Sequence, residues 1–339
     1  MNTFGKNFRV SVYGESHGKG IGVVLDGVPA GISLCEEDFM QDIMRRKSGK
    51  KGTTPRIEAD EPQILSGVFN GHTTGAPLCV TFTNSNTHSS DYELFKHTPR
   101  PGHADYVASV KWNGYNDPRG GGHFSGRLTL PIVAAGTVAK KIVGAFLGNV
   151  KFEAEIIELG GIGREEKDKW DEAVEQAVRE GNSLGAIVEC RVDGLPVGLG
   201  EPFWDSVESV VAHTIFAIPG VRGIEFGDGF AAARMKGSEH NDAFGPDGLP
   251  EKNGAGGVNG GITNGAELVF RVAFKPTSSI RKAQRTHNFE TGEMEELCVP
   301  GRHDACFALR APVVVEAVTA ISIADFAYNF SFSEKKVDF

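Results

Sequence analysis

The stretch GESHGKGIGVVLDGVPAG (residues 14–31) decides the fold, because the chain contains a second copy, GNSLGAIVECRVDGLPVG (residues 181–198). Seven of the 18 aligned positions are identical: Gly14, Ser16, Gly18, Asp26, Gly27, Pro29 and Gly31 match Gly181, Ser183, Gly185, Asp193, Gly194, Pro196 and Gly198. A second pair follows in the same order, GHTTGAPLCVTFT (71–83) and GITNGAELVFRVAF (261–274). Gly-rich turns can match by chance, but two ordered matches indicate one β-rich unit, turning at Asp-Gly-x-Pro, that is used twice.

Helices are predicted around these strands. Ser33 and Glu36 form a capping box, and the helix it opens ends in the cations Arg45, Arg46 and Lys47. Residues 128–148 are apolar on all sides, which predicts a buried central helix. Further helices are predicted over 165–181, 206–218 and 311–328, and strands over LCVTFT and ELVFRVAF.

The order of these elements lacks the short, regular strand–helix alternation of a Rossmann or TIM-barrel sequence. We therefore predict an α+β fold, built as a layered sandwich. We also predict one domain over residues 1–339, with repeated halves at about 8–150 and 175–330.

Composition restricts the possible functions. The formal net charge of −9 argues against general nucleic-acid binding, so any bound anion must be held by local clusters of cations. Five scattered cysteines without a CxxC pair suggest neither a disulfide framework nor a zinc knuckle, and fit a reducing cytoplasm. The N-terminus has no apolar signal region, and no uninterrupted apolar run is long enough for a membrane span, so we expect neither export nor membrane insertion.

Four histidines lie in Gly-rich loops and are candidates for acid–base chemistry. His17 corresponds to Leu184 in the second copy, so its imidazole does not serve a purely structural need that leucine also meets. His103 follows two stiffening prolines in TPRPGHAD, and His123 and His303 lie in RGGGH and PGRHDAC. Two other readings stay open: ordinary structural histidines, and a metal site, although no metal-ligand spacing is present.

Cations accompany the same loops, which suggests a site for a multiply anionic small molecule. They are Arg45, Arg46, Lys47, Lys50, Lys51, Arg56, Arg100, Arg119, Arg127 and Arg302. For the stretch 45–56 a solvated basic loop is an equally good reading. Gly120 to Gly122, before the buried helix, can offer backbone amides to a phosphate, and FKPTSSI (274–280) can offer an ammonium and hydroxyls.

Six ordered segments resemble motifs of the chorismate synthase family. They are GESHGKGIGVVLDGVP, RPGHADY, RGGGHFSGRLT, AGGVNGGITNG, KPTSSI and GRHDACFALRAPVVVEAV, which together run from about residue 8 to 330. The resemblance implies a lyase that performs a 1,4-anti elimination of phosphate and a C6 proton from 5-enolpyruvylshikimate 3-phosphate. It also implies a need for reduced FMN without net redox change, a β-α-β sandwich with internal pseudo-symmetry, and a homotetramer.

The resemblance assigns roles to particular residues of this chain. It places His17 near the leaving phosphate, His103 at the reduced flavin and Asp304 as a proton acceptor, with Ser16 and Ser125 in proton relay. The implied substrate-binding residues are Arg45, Lys47, Arg100, Arg127 and Arg302. The implied FMN-binding residues are Ser125, Asn253, Gly256, Gly257, Lys275, Ser279 and Arg302.

The chain departs from the family pattern in two places. Residues 123–129 read HFSGRLT where many members read RSSARET, so an arginine, a serine and a glutamate are missing. Lys47 and Lys51 stand where arginines are common, and a lysine cannot reproduce the two-pronged grip of a guanidinium. These changes bear on flavin and substrate binding more than on the type of reaction.

Two other functional classes are weighed against this one. A flavin oxidoreductase should carry a nicotinamide site, but no GxGxxG follows a strand. The absence of this motif also favours a synthase that does not reduce its own flavin. Such a synthase receives reduced FMN from an external flavin reductase, which uses NADP. A non-catalytic, phosphate-sensing relative would not need His17, His103 and Asp304 together.

The repeat generates a testable contrast between His17 and Leu184. We expect His17→Ala to lower kcat by roughly ten- to a thousandfold, the usual range for an acid–base residue, without unfolding the protein. Leu184→His, at the matching position of the second copy, should leave turnover unchanged. Steady-state kinetics decide the point, and wild-type turnover by His17→Ala would remove this histidine from the mechanism.

Overall fold

A computed structural model describes residues 2–49, 51–54, 58–85, 90–301 and 303–330. In these residues, helices lie between two five-stranded antiparallel sheets, which is the layered α+β arrangement that the sequence predicts. In spatial order the first sheet contains β1 (Thr3–Phe4), β2 (Arg9–Gly14), β3 (Gly20–Asp26), β7 (Leu78–Thr83) and β4 (Gln63–Ser66). Between β4 and β7 the chain forms a small hairpin of β5 (Val68–Phe69) and β6 (His72–Thr73).

The second sheet is built in the same way. In spatial order it contains β11 (Val221–Phe226), β14 (Leu268–Phe274), β10 (Ala186–Asp193), β8 (Lys151–Leu159) and β9 (Ile162–Gly163). Two hairpins accompany it, β12 (Val258–Asn259) with β13 (Ile262–Thr263) and β15 (Gln284–His287) with β16 (Met294–Leu297). β8 precedes the repeated sequence, yet Lys151 pairs with Asp193 as Arg9 of β2 pairs with Asp26.

Helices α3 (Thr129–Leu147) and α7 (Pro312–Phe330) lie at the centre of the core, between the inner faces of the two sheets. The other α-helices are α1 (Met40–Arg46), α2 (Asp105–Lys111), α4 (Trp170–Arg179), α5 (Val207–Ile215) and α6 (Gly237–His240). Helix α3 packs on β3 and β7, α7 packs on β8 and β10, and α3 and α7 pack on each other. The apolar sequences of α3 and α7 are therefore explained by burial on all sides, as predicted.

Hydrogen bonds show that the repeated motifs fold alike. Thr73 Oγ1 donates to the Pro29 carbonyl at 2.6 Å, and Thr263 Oγ1 donates to the Pro196 carbonyl at 2.7 Å. Each threonine hydroxyl also accepts a backbone N–H from the segment after the Asp-Gly-x-Pro turn. Shared residues in the two copies thus satisfy the same backbone requirements.

Each turn requires glycine for a steric reason. Gly27 has φ +81° and Gly194 has φ +84°, a region that favours glycine. A Cβ on Gly27 would lie 2.0 Å from the Asn7 carbonyl oxygen, and a Cβ on Gly194 would lie 2.4 Å from that of Asn149. Both turns therefore pack their backbone directly against the residues that lead into the neighbouring strands, β2 and β8.

The predicted capping box at Ser33 and Glu36 is wrong. The helical segment begins as a 3₁₀ turn at Glu36–Phe39, its N-cap is Cys35, and the Cys35 N–H donates to Asp38 Oδ2 at 2.9 Å. Ser33 instead forms an isolated β-bridge with His72, which draws the chain away from helical geometry. The predicted end of the helix at Arg45 and Arg46 is confirmed.

Two helical segments are long and apolar enough to cross a membrane by length and composition alone, residues 126–147 and Pro312–Phe330. The buried share of their apolar windows is 61% and 72%. Both segments are accounted for as the core helices α3 and α7 between the two sheets.

The contact between α3 and α7 can be tested with two glycines of one helix. A Cβ on Gly136 would lie 2.3 Å from the Cβ of Ala317 in α7, whereas a Cβ on Gly144 meets nothing within 4 Å. We expect Gly136→Ala to destabilise the protein by roughly 1–3 kcal/mol, since the helices must move apart. Gly144→Ala should stabilise it by up to about 1 kcal/mol through helix propensity. Urea unfolding measures both, and equal effects would contradict this packing.

Candidate active site

A cavity of about 690 Å³ lies where loops from both halves of the chain meet. The first half contributes residues from the end of α1 and from the loops at 100–104 and 120–127. The second half contributes 216–222 after α5, 275–279 after β14 and the segment from His303 to Arg310. The cavity therefore depends on both copies of the repeat.

Three buried guanidinium groups, those of Arg46, Arg127 and Arg310, form the most strongly charged part of the wall. Asp60 lies between two of them, with Oδ1 2.8 Å from Arg127 Nη1 and Oδ2 3.3 Å from Arg46 Nη1. Asp304 Oδ2 lies 2.6 Å from Arg310 Nη2. Two carboxylates thus contact these three cations. The lining as a whole contains six cationic side chains and three carboxylates, those of Glu58, Asp60 and Asp304, so positive charge is in excess.

The side chains that the structure describes do not satisfy this cluster completely. Among the described residues, Arg127 Nη2 and Arg310 Nε are buried and have no hydrogen-bond partner. Burial, together with repulsion from Arg310 and Arg127, lowers the pKa of Arg46 to about 9. Buried donors without acceptors are costly, so this wall is suited to an anionic ligand that supplies the missing acceptors.

His103 lies in the same wall, between charged neighbours. Its Nδ1 is 2.7 Å from Asp105 Oδ1, and the same carboxylate accepts hydrogen bonds from Arg100 Nε and Nη2 at 2.8 and 2.7 Å. Burial lowers the pKa of His103, with further lowering from Arg100 and Lys275, and Asp105 opposes this. Its neutral form is therefore accessible near neutral pH, as acid–base chemistry requires.

His17 and Ser16 lie one layer behind the wall. His17 is buried, and its ring contacts Tyr92 edge to face at a centroid distance of 5.2 Å. A Cβ on Gly120, a residue of the cavity wall, would lie 2.4 Å from His17 Cδ2 and 2.9 Å from Ser16 Oγ. The Ser16 N–H donates to the Gly122 carbonyl at 3.1 Å. The glycines in RGGG therefore allow the backbone to approach these two side chains closely.

A second cationic group lies after β14. Lys275 Nζ donates to Ser278 Oγ and to the Gly102 carbonyl, both at 2.6 Å, and Arg100 Nη1 donates to Ser279 Oγ at 3.0 Å. Burial lowers the pKa of Lys275, and so does Arg222. The ammonium, the guanidinium and two hydroxyls together form a set of donors suited to a phosphate.

Asp304 and Ser125 also line the cavity, each held by a backbone N–H. Asp304 Oδ1 accepts from Thr54 N at 2.8 Å, and Ser125 Oγ accepts from Arg127 N at 3.3 Å. Ser125 is the N-cap of the 3₁₀ turn Gly126–Leu128 that leads into α3. The altered loop 123–129 therefore still presents a serine and an arginine to the cavity.

Other residues that the resemblance assigned to the site lie away from this wall. Arg45 forms a two-pronged ion pair with the buried Glu316, at 2.6 and 2.7 Å, and Lys47 Nζ donates to the Ala59 carbonyl. Asn253 Nδ2 donates to the Glu267 carbonyl, and Asn253 Oδ1 accepts from Gly257 N. The lining of the cavity as described includes neither these residues nor Gly256 and Gly257, and Arg302 and Arg56 lie outside the described residues.

The sequence reasoning did not assign Arg310, although a signal was present. Arg127 stands two residues before α3 and Arg310 stands two residues before α7, and each helix has 19 residues. This is a third correspondence between the two halves, after the two pairs of matching segments. The two matching arginines lie in the wall of one cavity. Asp60 and Asp105 were also missed, because an isolated carboxylate gives no sequence sign of the arginines that it contacts.

The fold and this cavity define an enzyme that acts on a multiply anionic small molecule, with imidazole and carboxylate groups for proton transfer. The family model for chorismate synthase matches residues 8–328. A chorismate synthase from Chitinophaga pinensis is 59% identical over 327 residues, 96% of both chains. Another, from Korarchaeum cryptofilum, is 46% identical over 349 residues, 95% of this chain and 96% of that one.

A solved structure described as the crystal structure of chorismate synthase matches with a TM-score of 0.72 and 26% identity, over 95% of this chain and 92% of that one. The chain belongs to the chorismate synthase family. It is therefore a lyase that converts 5-enolpyruvylshikimate 3-phosphate to chorismate with loss of phosphate, the last step of the shikimate pathway.

The contrast between Arg127 and Arg45 is testable by substrate binding. We expect Arg127→Gln to raise the Kd for 5-enolpyruvylshikimate 3-phosphate by roughly ten- to a hundredfold, because it removes a charge-assisted hydrogen bond from the wall. Arg45→Gln should leave the Kd unchanged and lower the urea midpoint, because it leaves the buried Glu316 without its guanidinium. Titration calorimetry gives the Kd of each variant, and urea unfolding gives the midpoint. A larger rise in Kd for Arg45→Gln than for Arg127→Gln would reverse the assignment.

Proposed function

We propose that the elimination takes place in the cavity between the two halves and requires reduced FMN. The observation that carries this proposal is the pair of buried donors without partners, Arg127 Nη2 and Arg310 Nε, in the wall that also contains His103 and Asp304. A trianionic or tetraanionic substrate and a reduced flavin repel each other, and an excess of buried cations offsets that repulsion.

The residues of the wall fit both groups. Arg46, Arg127 and Arg310 form one set of donors, suited to the substrate, and Lys275, Ser278, Ser279 and Arg100 form another, suited to the FMN phosphate. Bound reduced FMN would supply electron density that helps phosphate leave, and would recover it as the proton departs. The family resemblance also implies a binding role for Arg302. For Arg45, Lys47, Asn253, Gly256 and Gly257, a role in binding substrate or FMN is supported only by matches to the family motifs.

This chain's own groups handle the protons. His17, against the Gly120 backbone, is proposed as the acid that donates a proton to the departing phosphate, with Ser16 and Ser125 in relay. His103 Nε2 is proposed to hold a proton against the negative charge of the reduced flavin. Asp304 is proposed to accept, at a carboxylate oxygen, the proton that finally leaves C6, while hydrogen bonds from Thr54 N and Arg310 Nη2 hold the carboxylate in place.

The family likeness also supports proposals about assembly and setting. We infer a homotetramer in the cytoplasm that receives reduced FMN from an NADP-dependent flavin reductase. Large exposed apolar side chains such as Phe203 and Trp204, at 85% and 89% exposure, are consistent with subunit contacts. Sedimentation velocity across a dilution series would test the tetramer, and a monomer throughout would exclude it.

The reaction itself is tested anaerobically. The purified protein is mixed with 5-enolpyruvylshikimate 3-phosphate and dithionite-reduced FMN, and chorismate absorbance and phosphate release are followed together. We expect equal amounts of both products and no lasting flavin oxidation. Bound substrate without product would favour the alternative, a non-catalytic phosphate-binding relative disabled by the altered 123–129 loop.

A further inference from the structure

Asp105 is an extensively bonded carboxylate beside the cavity. It is the first residue of α2, and its side chain is only 7% exposed. It accepts hydrogen bonds from Arg100 N, Nε and Nη2, and its Oδ1 lies 2.7 Å from His103 Nδ1. Two donors, Arg100 Nη2 and His103 Nδ1, therefore converge on one oxygen.

The short contact determines which nitrogen of His103 carries the proton. If Nδ1 were unprotonated, its lone pair would face the lone pairs of a carboxylate oxygen at 2.7 Å, which is repulsive. Arg100 Nη2 lies 3.0 Å from His103 Nδ1 and would donate to that nitrogen in the other tautomer, but the shorter contact, at 2.7 Å, is with the anionic oxygen of Asp105, which favours a protonated Nδ1. In the neutral ring the proton is therefore on Nδ1 and the lone pair is on Nε2.

The other edge of the ring faces the glycine loop of the cavity. A Cβ on Gly121 would lie 3.4 Å from His103 Nε2, so a side chain there would press against this nitrogen. Among the described residues none forms a hydrogen bond with Nε2. Nε2 is thus the atom of His103 that is available for proton transfer.

We propose that Asp105 is a positioning residue, which fixes the orientation and tautomer of His103 so that Nε2 exchanges the proton needed in the reaction. This inference rests on the proposed role of His103 and adds the group through which that role is controlled. Asp105 touches neither substrate nor flavin in this account, and acts only through His103 and Arg100. The arrangement follows the logic of a buried carboxylate that orients a catalytic imidazole.

The electrostatics of the surrounding groups agree with this geometry. Burial by itself would raise the pKa of Asp105, but Arg100 and His103 hold it well below its usual range, so the carboxylate stays ionised at any working pH. In the described part of the chain, the charged groups that act most strongly on His103 are Asp105, which favours the imidazolium, and Arg100 and Lys275, which oppose it. Without this carboxylate, the pKa of His103 falls further.

The first test is the tautomer of His103 in the full-length protein without ligands. The side-chain nitrogens are observed by NMR in histidine-selectively ¹⁵N-labelled protein, and His103→Gln identifies the signal. We expect the neutral ring to carry its proton on Nδ1 in the wild type. In Asp105→Asn the amide can donate to Nδ1, so the proton should move to Nε2. A wild-type ring protonated on Nε2 overturns the proposal, and this holds even if the variant fails to fold.

The second test is the pH profile of kcat. The protonated imidazole is lost as the pH rises through its pKa, so a lower pKa in Asp105→Asn should move the alkaline limb to lower pH. We also expect kcat near neutral pH to fall by roughly ten- to a hundredfold. An unchanged profile and an unchanged tautomer in a folded Asp105→Asn enzyme would show that Asp105 is only structural.

A matched control separates positioning from the loss of a buried ion pair. Glu189 is 2% exposed and is bonded to Arg191 and Arg271, but it lies in β10 and contacts no histidine. Glu189→Gln should lower stability and leave the pH profile of kcat and the His103 signal unchanged. A wild-type protein that makes no chorismate would refute the proposed function, whereas the tautomer measurement would still decide the proposal about Asp105.

Discussion

The positive charge of the arginine side chains buried around one cavity, which the nearby carboxylates balance only in part, is the constraint on which the rest of the site depends. Such an arrangement costs free energy in the protein alone, because each guanidinium loses water and repels its neighbours. Asp60 and Asp304 offset part of that cost, and two buried donors still lack acceptors. An anionic substrate supplies the missing acceptors, and its negative charges neutralise the buried guanidinium groups.

The repeated fold explains how those charges come together. Arg127 and Arg310 stand at matching positions before α3 and α7, and close packing at Gly136 holds the two helices side by side. The first half adds the loops that carry His103 and His123, and the second half adds His303, Lys275 and Asp304. The two halves thus share a scaffold while their loops differ, which is why Leu184 stands where the first copy has His17.

Much of this architecture was predictable from the sequence, because apolar periodicity and shared turn residues report burial and backbone geometry directly. The core helices and the paired strands are in this category. The family resemblance, and not the periodicity, grouped His103, Ser125, Arg127, Lys275, Ser279 and Asp304, which line one cavity. Partners between distant loops were not predictable: nothing local shows that Asp60 joins Arg46 to Arg127, or that Arg45 turns toward Glu316 and away from the cavity. The helix start at Cys35 was missed since a bridge between Ser33 and His72 depends on the tertiary fold.

An acidic chain can therefore bind a highly anionic substrate, because the charge that matters is the local charge of the cavity and not the net charge of −9. The most direct test is a crystal structure of the protein with 5-enolpyruvylshikimate 3-phosphate. The account predicts substrate oxygens within hydrogen-bond distance of Arg127 Nη2 and Arg310 Nε, in the same cavity as His103 Nε2. Substrate bound elsewhere, with those two donors still lacking acceptors, would contradict it.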